Sequence, residues 1–319
     1  MIGEFAKIMK YNKKFYILDI KQMILFSFSE TGQFEWKIDK RGNGPGEYRY
    51  LIDFDINQNC LYLFDRRNQI LEYDLNGNFV KKYDINIPGT SFLFNNGYFY
   101  FYTCNYTSQT GDYSLLIMDD YGQNFKNGIP VIHSNLINKC VNFNQSRAFY
   151  RYDDKIRFYM PLEAKVYSIT DDSISEKYRI NINNKNIPEN YFDSNTYEDL
   201  KNTSYAYGMH YYWENDSFLS FQIVFDDISW TVLYSKKEDK ATYGNFYDDI
   251  AYCFPSIQIV SNDFAIGFRQ MGELHSEYTF AQEINESRDE TVLEDIECLT
   301  SLPGRGVYIA VNFLFHYFH

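Results

Sequence analysis

Tyr16-Ile17-Leu18-Asp19, followed by Gly32-Gln33-Phe34, returns further along the chain as Tyr62-Leu63-Phe64-Asp65, followed by Gly77-Asn78-Phe79. A third, weaker copy is Asp120-Tyr121-Gly122 with Phe125 behind it. Gly32, Gly77 and Gly122 are evenly spaced, 45 residues apart. A fixed period of that size is what four-stranded propeller blades produce. Inside each repeat the pattern is period two, with Phe15, Ile17 and Asp19 alternating against Tyr16 and Leu18. The segments are short, rich in Tyr, Phe and Ile, and bounded by Asn, Asp and Gly, as strands are.

Working outward, the strands of the first repeat are expected near 5–10, 14–19, 22–28 and 33–38, and those of the second near 51–56, 60–64, 69–74 and 79–84. Ser29-Glu30-Thr31-Gly32 and Asp74-Leu75-Asn76-Gly77 join third to fourth strands, with glycine supplying the positive φ of the hairpin. Residues 91–133 and 147–180 read as a third and fourth repeat. The period then breaks at 181–205, an insertion with a short helix, and again at 270–303, which reads as helical or irregular. Alternation returns between them, in Ala206–Trp213, Phe218–Phe225, Ile228–Tyr234, Ile257–Val260 and Phe264–Phe268, and a last strand spans Val307–Phe315. The expectation is one all-β domain over residues 1–319, a six-bladed β-propeller of four-stranded antiparallel blades whose last blade is one strand short. That strand is expected upstream of Met1.

Composition narrows the function. Thirty Lys+Arg stand against 43 Asp+Glu, a net charge of -13, and aromatic residues make up 19% of the chain. Disorder is excluded by that apolar content, and a polyanion without a basic run is a poor electrostatic partner for nucleic acid. No apolar stretch reaches the roughly 18–20 residues of a membrane-spanning helix. No secretion signal follows Met1. Five scattered cysteines, Cys60, Cys104, Cys140, Cys253 and Cys298, show neither zinc-ligand spacing nor a disulfide framework, and read as small apolar residues near strands.

Gly42-Asn43-Gly44-Pro45-Gly46-Glu47-Tyr48, then Phe54-Asp55, Leu61 to Asp65, Asn68, Ile70 to Asp74, Gly77 and Phe79, resembles the NHL repeat of β-propellers. The same segments, with Ile2-Gly3-Glu4 to Asp19 and Phe26–Phe34, are similar to the six-bladed propeller proteins of Bacteroidota, many of them exported or lipid-anchored. The resemblance implies export to the periplasm or outer-membrane surface, with any lipid anchor upstream of Met1.

Loops between blades, and loops from second to third strands, gather on one face of a propeller. That face is expected to collect Arg41, Glu47, Tyr48 and Arg49 from the first blade junction, and Arg66 and Arg67 from the second repeat. Cations clustered on an acidic protein are a candidate anion or carboxylate site. Asp19 and Asp65 are expected to bond backbone amides. Catalytic and metal patterns are sparse: His133, His210, His275, His316 and His319 form no metal motif, and neither a nucleophile elbow nor a phosphate loop occurs. Asp153-Asp154 and Asp171-Asp172 read as hairpin turns, whereas Asp226-Asp227 and Asp248-Asp249 are expected on the loop face. Tyr205, Tyr207, Tyr211, Tyr212 and Trp213 suit either a sugar-stacking surface or the inter-blade core. The function read from these residues is a non-catalytic propeller of the bacterial envelope that binds a protein, a glycan or an acidic small molecule, without cofactor or metal. A carbohydrate-active enzyme or lyase acting at the channel mouth is the alternative.

Overall fold

A computed structural model describes residues 5–66, 69–121, 124–140, 147–170, 173–244, 256–260, 264–270 and 308–314. Antiparallel sheets follow one another along the chain, each strand pairing with its sequence neighbour. The first holds β1 (Phe5–Tyr11), β2 (Lys14–Asp19), β3 (Ile24–Ser29) and β4 (Phe34–Ile38). The second holds β5 (Leu51–Asn57), β6 (Cys60–Asp65), β7 (Gln69–Asp74) and β8 (Phe79–Asp84). The third is built from β9 (Ser91–Asn95), β10 (Tyr98–Tyr102), β11 (Tyr113–Asp119) and β12 (Phe125–Pro130). The fourth takes β13 (Phe149–Tyr152), β14 (Lys155–Tyr159), β15 (Lys165–Ile169) and β16 (Ile174–Arg179), and the fifth β17 (Tyr207–Glu214), β18 (Phe218–Phe225), β19 (Ile228–Ser235) and β20 (Lys240–Gly244). A three-stranded sheet follows, from β21 (Ser256–Val260), β22 (Phe264–Gln270) and β23 (Tyr308–Leu314).

The sequence expectation of six blades, the last one strand short, is corrected in its count of blades: five four-stranded blades form, followed by a sheet that pairs β21, β22 and β23 among the described residues. The first strands touch in chain order, β1 to β5, β5 to β9, β9 to β13, β13 to β17 and β17 to β21, and β21 returns to β1. Blade boundaries in the first two repeats match the sequence reading to within two residues. Gly32 and Gly77 sit at φ +80° and +81°, in the left-handed conformation that the third-to-fourth hairpins require. Gly122 lies outside the described residues.

The cores lie between blades, because a two-sided sheet must bury both faces against its neighbours. Tyr16, Leu18, Leu25, Phe54, Leu61 and Leu71 fill the space between the first two blades. Phe64, Phe92, Phe99 and Phe101 form the next core, with ring centroids of Phe64 and Phe92 5.4 Å apart. Tyr159, Met209, Tyr212 and Phe221 join blades four and five. Tyr212 and Trp213 are thus core rings, which decides the aromatic cluster of blade five in favour of packing at those two positions. Outer strands are largely exposed, as Phe34 at 58% and Val80 at 52% show.

The insertion after blade four contains a 3₁₀ turn, Tyr191–Asp193, and one short helix, α1 (Tyr197–Leu200), started by Thr196 N–H donating to Asp199 Oδ2 at 2.7 Å. A further 3₁₀ turn, Ser134–Leu136, lies in the crossover between blades three and four. The expected irregular segment at 270–303 falls, beyond Gln270, outside the described residues.

A disulfide joins Cys104 to Cys140, their Cα atoms 4.8 Å apart. This corrects the reading of those two cysteines as unpaired apolar residues. Thirty-six residues separate them in sequence, and only the return of the crossover over blade three brings them together. Cys60 is a free, half-buried thiol. No helix among the described residues is long and apolar enough to cross a membrane.

Candidate functional site

Alternation on the inner strands puts charged side chains where they meet at the axis. Asp53 and Asp55 on β5 flank Phe54 and are buried. The Lys7 ammonium reaches Asp53 Oδ1 at 2.8 Å, while Ser91 Oγ–H and Phe92 N–H donate to Oδ2. Asp55 takes a two-pronged guanidinium from Arg151, Nη1 to Oδ1 at 2.8 Å and Nη2 to Oδ2 at 2.6 Å, and also accepts from Phe94 N–H. Arg151 belongs to blade four, so its side chain passes blade three to reach blade two. Arg147 donates to Ile8 carbonyl on β1. These paired charges tie the inner strands of blades one to four together, and both carboxylates are committed to cations and backbone amides. Burial holds the His210 imidazole, on β17, below its ordinary pKa.

At the first blade junction the sequence-derived residues divide into braces and surface. Tyr48 is fully buried; its hydroxyl donates to the Met23 and Ile38 carbonyls, at 2.6 and 3.0 Å. Glu47 Oε2 accepts from Gly44 N–H at 2.7 Å and so closes the Gly42–Glu47 loop upon itself. Arg41 pairs with Tyr48 through the backbone, and Arg49 Nε donates to Asn43 Oδ1 at 2.6 Å. Arg66 N–H donates to the Tyr50 carbonyl at 2.9 Å, so Arg66 emerges beside the crossover that carries Arg41 and Arg49. Arg41, Arg49 and Arg66 are exposed. Arg67 lies outside the described residues. Asp65 accepts the amides of Arg49 and Tyr50 at 3.0 and 3.1 Å and the side-chain amide of Gln69 at 2.7 Å. Asp19 does bond the next turn, through Gln22 N–H at 2.8 Å.

A concavity of about 680 Å³ lies on the same loop face, over blades three to five. Its walls are the crossover Val131–Leu136, the loop Met160–Ala164, and the insertion from Ile180 to Phe192; Tyr207 and Met209 from the start of β17 form its floor. Each wall is pinned. The Cys104–Cys140 bond and the Asn138 N–H to Asn105 carbonyl bond, 2.8 Å, hold the crossover against blade three. His133 Nδ1 and Asp193 Oδ1, 3.1 Å apart, join crossover to insertion across a buried cluster of Leu136, Phe192, Leu200 and Tyr207. Gly208 and Met209 amides both donate to the Pro161 carbonyl, at 2.7 and 3.1 Å, where β17 is bulged and Gly208 takes φ +75°. Polar groups converge on this apolar slot from Asn105, Glu163, Lys165, Arg179, Asn181 and Glu189.

Sequence reasoning missed the cleft, whose walls come from three loops that are distant in sequence. The available signal was the insertion itself, since a long loop inside a compact repeat is usually functional. Asp226 and Asp227 form the β18–β19 hairpin turn with φ +52° and +60°, and Asp226 is paired with Lys185 at 2.8 Å. Asp153 and Asp154 form the β13–β14 turn in the same way. Asp171-Asp172 and Asp248-Asp249 lie outside the described residues. No group of three or more His, Cys, Asp or Glu side chains suited to a metal occurs among the described residues.

Four-stranded antiparallel blades around a ring of inner strands, with a cleft on the loop face, define a β-propeller. The chain belongs to the family described as Domain of unknown function (DUF4934), whose model matches residues 1–295. A Bacteroides fragilis protein named as exported superposes with a TM-score of 0.80 at 17% identity, over 99% of this chain and 92% of that one. A member of the DUF4221 family from Bacteroides vulgatus gives a TM-score of 0.51 at 9% identity, over 87% of this chain and 88% of the other. At these identities the likeness is one of fold. Among curated proteins, no sequence matches the chain.

Proposed function

We propose that this chain is a non-catalytic ligand-binding propeller of the bacterial cell envelope, an NHL-like ring in which β21–β23 stands as an incomplete sixth blade. The contacts of β21 with both β17 and β1 support that count. Export is supported by the name of the B. fragilis protein of like fold and by the Cys104–Cys140 disulfide, a bond that persists in oxidising compartments. One observation carries the binding reading: a cleft of about 680 Å³, mostly apolar and fringed by a few polar side chains, on the face where both loop classes meet. The exposed Arg41, Arg49 and Arg66 offer a second, cationic surface on that face for an acidic sugar or a carboxylate. Commitment of Asp53 and Asp55 to ion pairs favours binding over catalysis at the channel mouth.

The test is a thermal-shift and array screen of glycans and small organic acids against the parent protein, an Ile187→Trp variant that blocks the cleft, and an Arg41→Ala, Arg66→Ala double variant. A ligand lost on Ile187→Trp is expected, and one lost only in the double variant assigns the cationic surface instead. Binding that is equal in all three proteins overturns both sites.

A further inference from the structure

Burying an ammonium group costs free energy unless a partner neutralises it. Among the partly buried lysines of the described residues, Lys7, Lys10, Lys14, Lys185 and Lys236 each hold a carboxylate, at 2.8, 2.7, 2.8, 2.8 and 2.8 Å. Lys165 is the remaining one. It lines the cleft and forms no ion pair or hydrogen bond with the side chains of the described residues. Its situation is made worse by register: Lys165 stands directly opposite Arg179 on the β15–β16 ladder, and like charges at opposed positions repel. None of the surrounding acids among the described residues forms an ion pair with it. Glu176 grips Arg179 with both oxygens, at 2.9 and 2.7 Å, and Glu163 accepts the Tyr167 hydroxyl at 2.7 Å. Glu189, the other carboxylate of the lining, makes no ion pair with Lys165. Beyond Lys165 the wall turns apolar, through Met160, Leu162, Ile187, Phe192 and Met209.

We infer that the cleft takes an amphiphilic acid, a molecule with an apolar body and one anionic group, and that the anion pairs with Lys165. The inference rests on the cleft being the ligand site. An apolar body fills the slot between the insertion and the Met160–Ala164 loop. The anionic group takes the place of the carboxylate that every other partly buried lysine among the described residues already has.

Two probes with the same ring system separate body from charge: 1-anilinonaphthalene-8-sulfonate, an anion, and N-phenyl-1-naphthylamine, which is neutral. Fluorescence titration of the full chain is expected to give saturable sulfonate binding with one site. Lys165→Gln should weaken the sulfonate by about tenfold or more, the loss of a charge-assisted bond, and leave the neutral probe unchanged. Lys165→Arg should restore most of the affinity. Ile187→Trp and Leu162→Trp, checked for retained melting temperature, should abolish binding of both probes. Sulfonate affinity that is unchanged in Lys165→Gln, while the blocking variants still abolish it, overturns the inference and leaves the cleft as the ligand site. Binding that survives both blocking variants overturns the cleft reading itself.

Discussion

Glu214, at the end of β17, is a carboxylate with no free acceptor position left on either oxygen. Oε2 accepts from Arg157 Nε at 2.7 Å and Tyr212 hydroxyl at 2.8 Å, and Oε1 from Tyr178 hydroxyl at 2.7 Å and Lys236 Nζ at 2.8 Å. Burial pushes this carboxyl up, but the four donors outweigh it and hold the group below its ordinary pKa. Arg157 and Tyr178 come from blade four, so the cluster rivets blade four to blade five. Glu214→Ala strands a buried guanidinium and an ammonium, and should cost about 3–5 kcal/mol in urea unfolding. The lowered folded pKa gives the sign with pH. The contribution is complete above the ordinary carboxylate value of about 4.3 and is lost as pH falls through the lowered one. Melting temperature should therefore drop on acidification below about pH 4, and Glu214→Gln should flatten that part of the profile.

Among the elements, the crossover between blades three and four shows best how a loop becomes a wall. Residues 131–140 have no ladder of their own and are held by Cys140 to Cys104, by Asn138 to Asn105, and by His133 to Asp193. Reduction, or Cys104→Ser, lengthens the free loop of the unfolded chain and should cost about 2–4 kcal/mol, seen as a lower melting temperature in reducing buffer. Probe binding in the cleft should weaken in parallel, because Val131 to Leu136 form one side of it. A protein whose melting temperature is the same with and without reductant would contradict this. The hairpins, by contrast, are local: Gly32, Gly77, Asn12-Lys13 and Asp226-Asp227 adopt their positive φ values from turn chemistry alone.

For the molecule as a whole, ring closure depends on the axis. Arg151 links blade four to blade two, Lys7 links blade one to blade two, and Arg147 links the segment before blade four to blade one. Arg151→Met leaves Asp55 buried without its cation and should cost about 3–5 kcal/mol. Asp55→Asn combined with Arg151→Met should recover a large part of that loss, since two neutral groups replace one uncompensated charge. Denaturation midpoints of the two single variants and the double variant measure the coupling; additive losses would contradict the cross-ring pair.

Strand positions, hairpins and the repeat were legible because each depends on a few neighbouring residues. The 45-residue period, the alternation of the buried Tyr16 and Leu18 with the half-buried Phe15 and Ile17, and the glycines at hairpin turns determine blades wherever they occur. The role of Glu47 as a loop brace and of Asp19 as an amide acceptor was within reach for the same reason. Partners brought together from distant segments were not legible. Cys104 finds Cys140, Arg151 finds Asp55, and Lys165 lacks a carboxylate only because of how blades and insertions pack, and nothing in the local sequence encodes those distances. By itself, then, the sequence determined a propeller of four-stranded antiparallel blades. Tertiary structure decided that Tyr48 is a buried brace, that ion pairs link the inner strands, and that the cleft lies over blades three to five, because burial and charge pairing are properties of surroundings that only the closed ring creates.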